Sequence, residues 1–370
     1  KIEPKPNMTY LDEDGNFMGR YILKPREKIK VQYDALAQIS VKPREEIKAF
    51  ELNKLDSQKK YLLSESVYWK IDDISKYKNL KTPENIYNYL TSTFNYDYGR
   101  VSKDIKRLGA EFALKNPNMA VCTEFSDSFV ALSREKGVFA REIQGYGYSD
   151  DAYLRPLSLV ADVLHSWPQY YDVNKNLWTS VDPTWENTSG IDYFSSFDLN
   201  HIAFAIHGRQ SDYPLPAGMY KLEDTRDVYV VPTKEKPEEE VILDISSDLP
   251  DSISKKRGYK GILSIINKGN VFLYSVPIEV SSKELQASLF KKNIDTIAPF
   301  EKVKVDFFLP FFSLNPKAHE FMQNLFPVAS DGPSSKTCPK CPPHFAQVTS
   351  TRFIPRETSP RKITDPFFAS

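Results

Sequence analysis

Cys122 is the only cysteine in the first 337 residues, and it stands where a helix should begin, ahead of Phe125, Phe129 and Leu132 at helical spacing. Downstream come His165, in the apolar stretch Leu164-His165-Ser166-Trp167, and Asp182, in Val181-Asp182-Pro183-Thr184. A thiol, an imidazole and a carboxylate are the components of a nucleophile with an oriented base. The sulfur attacks a carbonyl carbon, the ring takes its proton, and the carboxylate holds the ring. A thiol at a helix start gains from unpaired N–H groups and the dipole, which lower its pKa, and backbone N–H groups there can hold an oxyanion. Glu124 and Asp127 oppose a thiolate if they face it, but a first helical turn prefers acids, so both are expected to serve the dipole. Each residue also has a purely structural reading: a buried cysteine as a small core hydrophobe, a core histidine, an aspartate bonding its own backbone in a turn. Their order and element types together favour chemistry.

Three elements must converge for this to work. Besides the Cys122 helix, the stretches 163–171 and 177–181 read as a hairpin around 172–175. With Tyr171 opposite Asn176, that register sets Asp182 directly across from His165, within side-chain reach. His201 and His207 flank a strand over 202–206 and rank well below His165 as bases, because neither is followed by a partner aspartate on a neighbouring strand.

Elsewhere, strand-like pieces at 20–23, 29–33 and 37–41 suggest an N-terminal β-element over residues 1–60. Thr82 as N-cap and Pro83 at N1 open a helix with Ile86, Tyr89 and Leu90 on its apolar face. Leu108, Phe112 and Leu114 suggest another, ended by Asn116-Pro117-Asn118, and Gly137 closes the Cys122 helix. Strands follow at 140–148 and 202–206. A helical half followed by a sheet half over 61–232 makes an α+β domain. A charged linker over 233–240 leads to short strands over 241–316 in the pattern of an all-β sandwich, the last near Phe307 to Phe312. Residues 317–370 are Ser/Pro/Thr-rich and are expected to be disordered.

Lys+Arg and Asp+Glu both number 49, so the net charge is zero and no basic patch points to nucleic acid. No apolar run reaches the roughly 18 residues of a membrane span. The chain begins at Lys1, which suggests a trimmed or mature form. Cys338, Cys341 and His344 offer three zinc ligands where a structural site wants four, so no metal is expected. Asn7-Met8-Thr9 and Asn187-Thr188-Ser189 are glycosylation acceptors only in a eukaryotic secretory path.

The segment CTEFSDSFVALSREKGVFAR from Cys122 to Arg141, then Gly145-Tyr146, His165-Ser166-Trp167 and Asp182-Pro183-Thr184, resembles the transglutaminase-like superfamily over about residues 60 to 232. The whole chain also resembles prokaryotic surface-type proteins that add a C-terminal β-sandwich. The resemblance implies a papain-like core, with the cysteine helix packed on an antiparallel sheet. It implies Cys122 as nucleophile, His165 as base, Asp182 as orienting acid, and a thioester that passes to an amine or to water. Animal members place a tryptophan near the oxyanion. No tryptophan lies between Lys70 and Cys122, which leaves backbone N–H groups, Tyr96 or Tyr98. The calcium sites of animal enzymes do not map here.

The expected function is thiol-dependent acyl transfer on protein or peptide amides, as a transglutaminase or a cysteine-protease-like enzyme. Trp167 and Tyr146 are the expected substrate-binding residues. No cofactor and no nucleic acid is expected, membrane association only through a segment absent from this chain, and an extracellular or cell-surface location. The alternative is a non-catalytic surface or adhesion module on the same scaffold.

Overall fold

Local chemistry builds the helical half much as the sequence suggests. The computed structural model describes residues 2–39, 55–63, 65–101, 106–148, 164–216, 228–248, 259–282, 287–309 and 347–348. The chain divides into two compact units, one of residues 1–11, 17–36 and 237–358, the other of 12–16, 37–236 and 359–370.

In the first unit, β1 (Ile2–Glu3) pairs with β4 (Gln32–Tyr33) and β2 (Met8–Leu11) with β3 (Phe17–Arg20). These strands group in one unit with the C-terminal ones. Thr9 donates to the Pro299 carbonyl at 2.9 Å, and Phe17 meets Phe272 edge-on. Of the pieces expected at 20–23 and 29–33, only Arg20 and residues 32–33 are strand. The piece expected at 37–41 is not strand at 37–39, and its remainder lies outside the described residues.

The second unit begins with α1, described over residues 55–62. Thr82 caps α2 (Pro83–Thr93), accepting from the Asn85 N–H at 3.1 Å, and Ile86, Tyr87 and Leu90 are buried. α3 (Ala110–Lys115) starts later than Leu108 suggests, because Gly109 has φ 83°, a left-handed backbone that stops helix propagation. α4 (Cys122–Glu135) is buried on all sides: Phe125, Phe129 and Leu132 form the expected stripe, and Ser126, Asp127, Ser128 and Ser133 are buried too. It ends ahead of Gly137, at φ 77°.

α4 packs on a four-stranded antiparallel sheet in the order β7 (Leu177–Ser180), β6 (His165–Asp172), β5 (Ala140–Gly147), β8 (His201–His207). The β6–β7 register differs from the expected one. Asp172 pairs with Leu177 and Gln169 with Ser180, where the ladder ends. The Asp172 carboxylate accepts from the Asn174 and Lys175 N–H groups, and Asn176 takes φ 53°, so the turn falls one residue later than expected and every partner shifts by two. A two-residue slip preserves the sheet face. It does not leave Asp182 across from His165, because the chain has already left the sheet. Asp182 instead caps a helix the sequence reading missed, α5 (Pro183–Ser189), with Pro183 at N1.

Further strands belong to the first unit. β9 (Leu243–Ser247), β10 (Tyr259–Asn267) and β13 (Lys302–Leu309) form one antiparallel sheet. β11 (Leu273–Ser282), β12 (Ala287–Ile297) and β14 (Gln347–Val348) form another. Leu263, Ile265, Val305 and Phe307 of the first sheet share one apolar cluster with Leu273, Val276, Ile278 and Ile297 of the second. β14 falls inside the stretch expected to be disordered, and β12 had no counterpart in the sequence reading. Residues 310–346 and 349–370, with Cys338, Cys341 and His344, lie outside the described residues. Among the described residues no helix is long and apolar enough to cross a membrane.

Candidate active site

Cys122 is the first residue of α4, with Val121 at the N-cap. A valine side chain cannot accept a hydrogen bond. Glu124 supplies only the return half of a capping box, accepting from the Val121 N–H at 3.1 Å. The Glu124 carboxylate also accepts from Arg100 at 3.0 Å and from the Leu108 N–H at 2.8 Å, so its charge is compensated. The first helical N–H groups, beside the sulfur, have no intrahelical acceptor. The sulfur itself takes a hydrogen bond from the backbone N–H of Ser166, the residue that follows His165.

The expectation of an acidified thiol does not hold in this arrangement. Cys122 is 4% exposed, and burial pushes its thiol up to about 12. The Ser166 N–H works in the opposite direction, while Glu124, Asp182 and Glu142 add to the rise. Loss of solvation outweighs the helix terminus here. The thiol is neutral at rest, and attack requires a base.

His165 opens β6, and its Nε2 lies 2.7 Å from Asp182 Oδ2. Its Nδ1 is buried and has no hydrogen-bond partner. The ring stacks on Trp185, centroids 5.1 Å apart, and lies beside Trp167 at 5.8 Å. Asp182 uses its other oxygen to accept from the Thr184 and Trp185 N–H groups at 2.9 and 3.0 Å. One carboxylate therefore caps α5 and holds the histidine. Burial alone would raise it, but the two imidazoles and these hydrogen bonds hold it well below the usual carboxylate range. Tyr87 of α2 fixes α5 in place, donating to the Asp182 carbonyl at 3.1 Å and to Glu186 at 2.5 Å.

His201 is a component the sequence reading ranked low. Its Nε2 lies 3.0 Å from the same Asp182 Oδ2, and its Nδ1 lies 2.8 Å from Asp198 Oδ1. Searching for an aspartate on a neighbouring strand missed this contact, because Asp182 sits at a helix cap and Asp198 just ahead of β8. The short spacing Asp198-Leu199-Asn200-His201 was the available signal. His165, Asp182 and His201 are the one group among the described residues whose metal-ligating atoms all lie within 4.8 Å of one another. In the hydrogen-bonded arrangement both Nε2–H groups point at Asp182, so neither nitrogen offers a lone pair.

Beneath the site, a buried polar network ties α4 to the sheet. Ser166 Oγ donates to Glu142 at 2.6 Å and lies 3.0 Å from Ser126 Oγ. Arg107 bonds Glu142 at 2.7 Å and Asp127 through two nitrogens, and Trp69 Nε1 donates to Asp127 at 3.0 Å. His207 Nδ1 lies 2.9 Å from Glu142. Asp127 thus serves Arg107 and Trp69, not the helix dipole, and Glu142 and Ser166 are positioning residues that the motif search did not single out. Burial works against the Glu142 carboxylate, but Arg107, His207 and Ser166 hold it below its ordinary range.

These contacts set the pH window of stability. Asp182 is lowered, so its contribution is present above about pH 4 and lost as pH falls further. Burial acts to lower His201 and His207, yet their carboxylate partners raise both. Their contribution is complete below about pH 6.5 and lost as pH rises through the raised values. All four tryptophans lie between residues 69 and 185, so indole fluorescence reports this unit alone. Its unfolding temperature is expected to peak between about pH 4 and 6.5 and to fall on both sides. A flat profile from pH 4 to 9 contradicts the assignment.

The other expected site residues fall on the same sheet. Trp167 is 2% exposed, packs with Ile143 and Ile206, and has a buried indole N–H without a partner. Tyr146 is half-buried on β5, opposite Ile202 of β8. Gly147 makes room for the aromatic layer: a Cβ there would lie 2.6 Å from the Trp185 ring and 3.4 Å from the His165 Cβ. Asn187 donates to the Thr91 and Phe94 carbonyls, which occupies its amide inside the fold.

The segment that carries this constellation has a recognisable class. Residues 72–183 match the model of the transglutaminase-like superfamily, and the chain carries a transglutaminase-like domain there. Solved structures with similarity include that of a candidate cysteine protease from Cytophaga hutchinsonii, 21% identical, with 33% of this chain and 40% of that one covered and a TM-score of 0.27. Red sea bream transglutaminase is another, 12% identical, with 61% of this chain and 48% of that one covered and a TM-score of 0.23. The chain thus spans less than half the length of either. No curated protein matches it.

Proposed function

We propose that this protein is a thiol acyltransferase or peptidase acting on protein or peptide amides, with Cys122 as nucleophile, His165 as base and Asp182 as orienting acid. The observation that carries the reading is the state of His165. One ring nitrogen is held by a buried carboxylate, the other is buried and unpartnered, and the next residue's N–H rests on the Cys122 sulfur. Sγ attacks the amide carbon and its proton passes to Nδ1. As the C–N bond breaks, His165 returns that proton to the departing nitrogen, leaving a thioester. An incoming amine or water then attacks, gives its proton to Nδ1, and the C–S bond breaks with reprotonation of sulfur. An amine gives a new amide and water gives an acid.

The free N–H groups at the start of α4 supply one side of an oxyanion site. Tyr96 supplies a second donor in this reading: its hydroxyl is buried without a partner, and it belongs to the same apolar cluster as Cys122. Tyr96→Phe is expected to lower kcat about 100-fold with KM little changed, the effect of losing one oxyanion donor. An unchanged kcat removes Tyr96 from the mechanism. Tyr146, half-buried, is the better placed of the two proposed substrate-binding residues, with Trp167 backing the histidine.

We read the two sheets of the first unit as an appended β-sandwich and the protein as one that works at or outside the cell surface. The test of the activity is mass detection of an acyl group on Cys122 after incubation with a p-nitrophenyl ester or a glutaminyl peptide. One observation favours a second reading, a non-catalytic binding module: the thiol is buried and raised. On that reading Cys122 accepts no acyl group from any donor, and His165→Ala leaves its alkylation unchanged.

A further inference from the structure

His201 faces two carboxylates. Its Nδ1 is 2.8 Å from Asp198 Oδ1 and its Nε2 is 3.0 Å from Asp182 Oδ2. A neutral imidazole donates from one nitrogen and presents a lone pair at the other, so one of these contacts would set a lone pair against a carboxylate oxygen. The conflict disappears if the ring carries both protons. Both carboxylates are otherwise engaged as acceptors: Asp182 receives two backbone N–H groups at Oδ1, and Asp198 receives the Asn200 N–H at 2.8 Å and its side-chain amide at 3.2 Å. The ring is fully enclosed, with Phe197 at 4.3 Å and Trp185 at 4.4 Å between centroids and Trp167 edge-on at 5.0 Å. Water cannot supply the missing donor or acceptor, so the pair of carboxylates fixes the protonation state.

This second imidazolium bears directly on the base. His165 and His201 share Asp182 Oδ2, and their ring centroids are 5.5 Å apart. The geometry points to His201 as a positioning residue: a protonated ring, clamped between Asp182 and Asp198, that offsets the charge of Asp182 and so leaves His165 to serve as the proton-accepting base. Without it, His165 would face a bare buried carboxylate, which favours its imidazolium and a thiolate on Cys122. With it, protonating His165 places two cations around one carboxylate. The proton His165 takes up during attack is therefore readily passed on to the departing nitrogen.

The groups that act on these two rings are few. His201 is faced by Asp182 from the α5 cap, Asp198 from the segment before β8, His165 from β6 and Tyr193, whose ring centroid lies 6.0 Å away. Around Cys122 the charged or titratable groups are Glu124, Asp182, Glu142 and Tyr96. Among the described residues none but His201 brings a positive charge onto Asp182 opposite His165.

The inference rests on the Cys122–His165–Asp182 reading above, and the test separates the two. Iodoacetamide alkylation of Cys122 is followed from pH 5 to 10 in the full chain, in His201→Gln, in Asp198→Asn and in His165→Ala. Asp198 is partly exposed, so Asp198→Asn leaves the core intact while releasing the second proton of His201. Both His201→Gln and Asp198→Asn are expected to alkylate roughly tenfold faster at every pH in this range, all of it below the thiol's midpoint, as a one-unit fall of that midpoint requires. Turnover falls in the same variants. A merely structural histidine would lose turnover with no such shift. If alkylation responds to His165→Ala but its rate is unchanged in both other variants, the role of His201 is refuted and the triad stands. If it is indifferent to His165→Ala as well, the triad reading fails.

Discussion

Replacing Cys122 with alanine abolishes acyl-adduct formation and lowers amide turnover by about 10⁶-fold, the loss seen when a nucleophile is removed from a triad that acts as a unit. The fold survives, because the change removes one sulfur from a cluster otherwise built on Phe125, Phe129, Tyr170 and Val181. A stability cost of about 1 kcal/mol is expected. Cys122→Ser is equally inert: a serine hydroxyl in the same dry position is a far weaker acid than the thiol, and His165 then lacks the driving force to take its proton. Turnover on a p-nitrophenyl ester and tryptophan fluorescence in denaturant separate the two effects. Persistent turnover in folded Cys122→Ala refutes the nucleophile assignment.

Asp182→Ala has the largest combined effect. One side chain orients His165, holds His201 and caps α5 through Thr184 and Trp185. Removing it strands a buried imidazolium and uncaps a helix, for an expected loss of about 3–5 kcal/mol in stability. Turnover falls by about 10⁴-fold, the penalty for a base left without its orienting carboxylate. Asp182→Asn divides the two functions. Its side-chain oxygen still caps α5 and about 1 kcal/mol of the stability returns, whereas the amide meets the His165 and His201 N–H groups as a donor and turnover stays low. Denaturant midpoints together with kcat for both variants check this. Equal stability losses in the two variants contradict the division.

Local chemistry made α4 and its cysteine legible. The stripe Phe125, Phe129, Leu132 and the stop at Gly137 are patterns of one element, and one element is what periodicity reports. The pairing of His165 with Asp182 was also anticipated, but through the wrong geometry. Strand alternation extended past Ser180, where the chain had already turned toward α5, and Asp-Pro marked a helix start and not the end of a strand. His201 escaped notice because its two partners come from a cap and a loop, and no periodic signal links such positions. The Arg107–Asp127–Glu142 network was equally invisible, since with Ser166 and His207 it joins residues from five separate segments through charge and hydrogen bonds, not pattern. The acidified thiol was the expectation that burial reversed: helix position is local and readable, while the loss of water around the sulfur depends on the whole fold.

The most direct measurement is intact-mass analysis of the protein quenched during reaction with a p-nitrophenyl ester, with and without an added primary amine. The account predicts one acyl group on the wild type, mapped by peptide digestion to Cys122, absent from Cys122→Ala and strongly reduced in His165→Ala, and discharged faster when the amine is present. An adduct on another residue, or wild-type protein that turns over substrate while Cys122 never carries an acyl group, contradicts it.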